Sequence, residues 1–186
     1  MKTKDVELIP GISPHWLRID EIREGDEGLI DASAPERAAV ADLLDLGDLS
    51  KLSLRYSLHR LGQGRIGLKG RLTAKLTQTC VVSLEPLPQE LDVPIEVAFW
   101  PGSQVRDMEK AAAEDPASQG ILDWPELILD GKIDLGPVLY EGLATTLDPY
   151  PRAEGVDFAW SDQDGAEARP PNPSGPFAAL ARLKQP

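Results

Sequence analysis

The sequence predicts an α+β fold: mainly antiparallel β-sheet with two amphipathic helices packed on it and a flexible C-terminal tail. Three observations carry that prediction. Apolar and polar residues alternate through three long stretches between residues 51 and 99. Two apolar stripes have helical spacing, one before those stretches and one after. Beyond Arg152 the composition turns to Pro, Gly, Ala and acidic residues without periodicity. The expected organisation is one α+β domain over residues 1–152, a linker over 153–176, and a short amphipathic docking segment over 177–186.

In chain order, residues 5 to 31 read as extended pieces broken by turns: Val6 to Ile9, Trp16 to Ile22, and Gly28 to Ile30. A helix follows, with Ser33 as N-cap, Pro35 in its first turn and Glu36 completing a capping box. Ala39, Val40, Leu43 and Leu44 fall on one helical face, and Gly47 is its expected stop. Next comes a hairpin. Leu52, Leu54, Tyr56 and Leu58 alternate with Lys51, Ser53, Arg55, Ser57 and His59. After Gly62-Gln63-Gly64, Ile66, Leu68, Leu72, Ala74 and Leu76 alternate with Arg65, Lys69, Arg71, Lys75 and Thr77. A three-residue loop at 62–64 puts both apolar sets on one face and pairs Leu61 with Arg65, Arg55 with Arg71 and Lys51 with Lys75.

Leu91, Val93, Ile95, Val97 and Phe99 mark a third strand, which Pro94 places at an edge or a bulge. From Pro101 to Gly120 the chain reads as a mobile acidic loop with at most one helical turn. A short extended piece, Glu126 to Leu129, precedes a second helix with Asp134 as N-cap. Its stripe is Leu135, Val138, Leu139, Leu143 and Leu147, and Pro149 and Pro151 end it. Phe177, Leu180 and Leu183 recur near helical spacing, in a segment too short to be a stable helix by itself. It packs back on its own domain or folds onto a partner.

Composition narrows the function. No run of 18 apolar residues exists, so nothing in the sequence spans a membrane as a helix, and the start Met1-Lys2-Thr3-Lys4-Asp5 leads into no apolar signal region; a cytoplasmic protein is expected. Cys80 is the single cysteine, and His15 and His59 are the two histidines, so neither a disulfide framework nor a multi-cysteine metal site is available. No cofactor is expected. The glycines at 62 and 64 lie between two strands rather than in a phosphate-cradling strand-to-helix loop, and no acid pair has a supporting histidine. Binding, not catalysis, is the expected activity.

The formal net charge is −12, yet residues 49 to 84 contain no Asp or Glu and hold Lys51, Arg55, Arg60, Arg65, Lys69, Arg71 and Lys75. The predicted register sets like charges opposite one another, which destabilises a sheet by a few tenths up to roughly 1 kcal/mol per pair. Such a face gains by meeting anions. One reading is a surface for ribose-phosphate chains or an acidic protein, with Lys51, Arg55, Arg65, Lys69, Arg71 and Lys75 as the binding residues. The other is a solvated sheet face neutralised by acidic segments of the same chain. No aromatic residue lies on the polar face, so RNA held there would be contacted through phosphates and shape rather than through stacked bases.

The run Gly70-Arg71-Leu72-Thr73-Ala74-Lys75-Leu76-Thr77-Gln78-Thr79-Cys80-Val81-Val82-Ser83-Leu84-Glu85-Pro86 is followed by Val93-Pro94-Ile95. Later come Ile133-Asp134-Leu135-Gly136, Leu147-Asp148-Pro149-Tyr150-Pro151-Arg152, and the ending Pro176-Phe177-Ala178-Ala179-Leu180-Ala181-Arg182-Leu183-Lys184. With these residues the chain resembles the YceD-like family, the bacterial large ribosomal RNA subunit accumulation proteins, over roughly residues 25 to 184. Many members carry Cys-x-x-Cys around this position; here Ser83 stands in the second place, so Cys80 is expected to be a small buried or half-buried residue rather than a metal or redox site. The resemblance implies a non-enzymatic factor for accumulation or processing of 23S ribosomal RNA. Its partner is then large-subunit ribosomal RNA or its precursor, and the charge pattern rather than the resemblance places that contact at the basic hairpin face. The alternative is an acidic adaptor that grips a ribosomal or assembly protein through its surface and through Phe177, Leu180 and Leu183.

Overall fold

The structure is a computed structural model that describes residues 11–114 and 124–156. Seven strands and three helices run in the order β1 (Trp16–Arg18), β2 (Asp26–Asp31), α1 (Ala34–Leu43), β3 (Asp48–Gly62), β4 (Arg65–Thr79), β5 (Pro86–Pro101), α2 (Gly102–Glu114), β6 (Glu126–Ile128), β7 (Lys132–Asp134) and α3 (Gly136–Thr146). The main sheet has the order β2-β3-β4-β5-β6, and β1 and β7 form a separate antiparallel pair. The α+β class stands, with two corrections. Among the described residues there are three helices rather than two, and the main sheet is mixed, because β6 joins β5 in parallel over Phe99–Pro101. The chain divides between Glu154 and Gly155, and every element named here lies on the N-terminal side. Val6 to Ile9 and the segment with Phe177, Leu180 and Leu183 lie outside the described residues.

Alternation puts the core where the hairpin predicts it. Leu52, Leu54, Leu58, Ile66, Leu68, Leu72, Ala74 and Leu76 are all buried, and full burial of such a leucine or isoleucine contributes about 1.5–3 kcal/mol. Arg55 pairs with Arg71 and Lys51 with Lys75, as the pattern requires. The tip differs from the expected three-residue loop. Gly62, not Leu61, opposes Arg65, the register shifts between Arg60 and Gly62, and Leu61 bulges into solvent. Gln63 and Gly64 both have positive φ, 54° and 75°, the signature of a two-residue turn whose twist matches the strands. The glycine at 64 made that tighter turn available.

α1 begins where Ser33 places it. Burial opposes the charge of Glu36, but hydrogen bonds from Ser33 and Ser13 overcome it and bring its carboxyl down to about 2. Its Oε2 accepts the Ser33 N–H at 2.8 Å and its Oε1 the Ser13 N–H at 3.0 Å. The helix stops at Leu43, ahead of Gly47, because Asp45 takes the left-handed conformation at φ 53°; acidic residues of this size tolerate that region.

α2 replaces the expected acidic loop. Val105, Met108 and Ala112 recur at helical spacing, and Val105 and Ala112 are buried beside β5 and β6; a stripe this narrow, ending in alanine, was too weak a periodic signal to read. α3 carries the predicted stripe. Leu135, Val138, Leu139 and Leu143 are buried against β4 and β5. Its N-cap is Leu135 rather than Asp134, and Asp134 serves from one residue earlier, its Oδ1 accepting the N–H groups of Gly136 at 2.9 Å and His15 at 2.8 Å.

Candidate partner-binding face

The outward face of the main sheet is built from the residues that alternate with the core. β3 presents Lys51, Ser53, Arg55, Ser57 and His59, and β4 presents Lys69, Arg71, Thr73 and Lys75. The like-charge pairs Arg55/Arg71 and Lys51/Lys75 are present. At the centre Ser53 and Thr73 join hydroxyls at 2.8 Å, and Gly70 is held so close to β3 that a Cβ there would stand 2.8 Å from the Arg55 carbonyl oxygen.

The flanking strands answer this charge. β5 sets Glu96 opposite Lys69, Asp92 opposite Thr73 and Glu90 opposite Lys75. Lys69 Nζ lies 3.3 Å from Glu96 Oε1, and Lys75 Nζ lies 2.7 Å from Glu90 Oε1. Arg71 faces Pro94 and reaches diagonally, its Nε 2.6 Å from Asp92 Oδ1. The Lys75 partnership holds the Glu90 carboxyl below its ordinary range. On the other side β2 contributes Glu27 opposite Ser57, Asp31 opposite Ser53, and the exposed Leu29 opposite Arg55. The cationic stripe is therefore bordered by acid on both sides. Among the described residues Lys51 and Arg55 have no ion pair on this face.

The remaining cations of the acid-free stretch are built into the fold. The Arg65 guanidinium lies 3.7 Å from the centroid of Trp100 and its Nε donates to Gln104 Oε1 at 2.6 Å. Gln104 in turn donates to the Gln63 carbonyl at 2.9 Å, tying the hairpin tip to α2. Arg60 donates through Nη2 to the carbonyls of Ile22 and Ile19 at 2.7 and 3.1 Å. His59 Nδ1 lies 3.2 Å from Glu24 Oε1. Arg65 thus sits at the hairpin tip, away from the stripe formed by Lys51, Arg55, Lys69, Arg71 and Lys75. The counter-charges on β5 had a signal in the sequence: Glu90, Asp92 and Glu96 alternate with Leu91, Val93, Ile95 and Val97.

Two further places bear on chemistry. A cleft of about 320 Å³ opens between β5 and α3, lined by Ile95, Val97, Val138, Glu126 and Glu141. Burial, with a smaller contribution from Glu141, raises the Glu126 carboxyl above its usual range. Cys80 is buried in the turn after β4. The Ser83 hydroxyl and N–H and the Ala153 N–H hold its thiol down to about 6; the two N–H groups lie 3.4 Å from Sγ. Cys80, His15 and His59 stand in separate parts of the fold. Among the described residues no group of three or more His, Cys, Asp or Glu side chains is placed to hold a metal, and no helix is long and apolar enough to cross a membrane.

A family model described as large ribosomal RNA subunit accumulation protein YceD matches residues 68–184. That span takes in β4 from Leu68 onward, β5, α2 and α3. Comparisons with curated proteins and with solved structures each found no match.

Proposed function

The chain belongs to the YceD family of large ribosomal RNA subunit accumulation proteins, and from that premise we propose that it acts in large ribosomal subunit biogenesis as a non-catalytic acidic adaptor. It holds a basic ribosomal or assembly protein in the cytoplasm, and 23S ribosomal RNA accumulates because that partner is delivered or protected. The observation that carries this reading is the pairing of Lys69, Arg71 and Lys75 with Glu96, Asp92 and Glu90. A phosphate chain laid on the stripe would meet carboxylates on both borders, and its contacts would have to displace those partners. Exposed pairs of this kind contribute roughly 0–1 kcal/mol each, so displacement is feasible, but the uncovered carboxylates would then repel the RNA. With a net charge of −12, the body as a whole complements a basic protein.

A second reading, direct RNA contact at the hairpin face, is favoured by Arg55 and Lys51, which are exposed and form no ion pair of their own among the described residues. The sequence pattern of Phe177, Leu180 and Leu183 fits a second grip on a protein partner, at the end of a linker over 153–176.

Tagged protein recovered from native lysate separates these readings when RNA and co-purifying proteins are measured with and without nuclease. The expected result is a basic large-subunit protein retained after nuclease and equally retained by a variant with Arg55, Lys69, Arg71 and Lys75 changed to Gln. Precursor RNA bound by the pure protein, and lost in that variant, would overturn the adaptor reading and establish the second one. Deleting residues 177–186 reads the tail's share of the grip.

A further inference from the structure

The turn that closes β4 holds a leucine that neither conformation nor packing requires. Leu84 N–H donates to the Cys80 carbonyl at 3.0 Å and Cys80 N–H to the Glu85 carbonyl at 2.9 Å, so residues 81–83 make one helical turn. Leu84 ends it at φ 60°. That left-handed stop is ordinarily taken by glycine, since a side chain there is crowded against its own backbone. The Leu84 side chain gains no burial in exchange: it is 75% exposed. An apolar residue held in a disfavoured conformation and left in water points to a role outside the fold.

Two more exposed apolar groups lie on the same turn and on the segment hydrogen-bonded to it. Val81 N–H donates to the Pro151 carbonyl at 2.9 Å, and Gln78 Nε2 donates to the Asp148 carbonyl at 3.0 Å, which lays residues 148–153 along the turn. Val81 is 45% exposed and Tyr150 70%, while Pro151 between them is buried. The Asp148 carboxylate takes the Tyr150 N–H at 2.8 Å and fixes the backbone that presents the ring. The charged residues of the two segments 78–88 and 148–154 are Glu85, Asp148, Glu154 and Arg152, all exposed.

We propose that Val81, Leu84 and Tyr150 form the docking surface for a basic, apolar-bearing segment of a protein partner, with Glu85, Asp148 and Glu154 receiving its lysines or arginines. The inference rests on the adaptor reading and assigns it a place. Three acids against one arginine repel phosphate, which disfavours RNA, and the same acidic rim disfavours a second copy of the chain. Leucine and tyrosine side chains set in an acidic border suit a segment that alternates cationic and apolar residues.

The test immobilises the full-length protein and passes over it nuclease-treated protein that has been salt-extracted from purified large ribosomal subunits. Leu84→Gly and Tyr150→Ala are compared with wild type, folding being checked by thermal melting. Leu84→Gly removes the side chain while easing the backbone, so its fold is preserved; Tyr150→Ala reaches the same surface from the other segment. The expected result is retention of basic proteins by wild type, weakened on the order of tenfold in each variant and further by Glu85→Lys. Retention equal to wild type in both variants would overturn this surface and leave the adaptor reading standing. No retention of any basic protein by wild type, with precursor RNA bound instead, would overturn both.

Discussion

Leu84 and Cys80 share one turn and are stabilised in opposite senses. Replacing Leu84 by glycine removes a left-handed strain of roughly 1–2 kcal/mol, against the extra flexibility glycine gives the unfolded chain, about 0.5–1 kcal/mol. The melting temperature of Leu84→Gly is therefore expected to stay level or rise; a fall of several degrees would mean that the side chain packs in the fold. Cys80 lies under the same turn, with N–H groups of Ser83 and Ala153 directed at its sulfur. Its folded value, about 6, is below the ordinary thiol value. A group whose pKa is depressed on folding contributes stability above its unfolded value and loses it as pH falls through the folded one. Cys80→Ala should accordingly show a flatter rise of stability than wild type between about pH 6 and the ordinary thiol range near 8.5, measured as urea midpoints at several pH values. Parallel profiles for the two proteins would mean that the sulfur carries no charge in the fold.

At the scale of elements, β5 decides what the cationic hairpin can do. Glu90, Asp92 and Glu96 lie within ion-pair distance of Lys75, Arg71 and Lys69, and all six side chains are exposed. Changing the three acids to Gln, Asn and Gln should leave stability almost unchanged, because exposed ion pairs are screened by water. The same change frees three cations on a face that already holds Arg55 and Lys51, so under the adaptor reading the variant should bind RNA more tightly than wild type and in a salt-sensitive way. Filter binding of a large-subunit RNA fragment at two salt concentrations reads it, and unchanged affinity would mean that β5 is not what silences the face.

The hairpin, its buried face and its register from Lys51/Lys75 to Arg60/Ile66 were legible in the sequence, because a period of two with apolar residues at nearly every inward position admits one solution; the tip was not, since Leu61 bulges and Gly62 takes its place opposite Arg65. The partnership of β4 with β5 was less so: both strands alternate, but nothing local states which strand lies beside which. α2 escaped because its inward residues are few and small. The αL conformation of Leu84 escaped because no residue-type rule points to leucine there, and the partners of Cys80 because Ala153 lies 73 residues away.

On the scale of the molecule, an acidic chain with a sequence pI near 4.6 and a small exposed apolar turn would divide the work of holding a basic partner. Long-range attraction acts before contact, raises the rate of encounter and is screened by salt over about 8–10 Å. The apolar contact acts after docking, is insensitive to salt and slows departure. The two contributions therefore separate in kinetics. Raising salt from 50 to 300 mM should lower the association rate of salt-extracted large-subunit proteins on the immobilised chain severalfold, with little change in dissociation. Leu84→Gly and Tyr150→Ala should do the reverse, leaving association near wild type and raising the dissociation rate by on the order of tenfold. If salt and the variants both acted only on association, attraction by the acidic body would suffice and the turn would hold nothing. If the variants alone acted, and salt did not, the net charge of −12 would be a matter of solubility, and the partner would be recognised by its apolar side chains rather than by its charge.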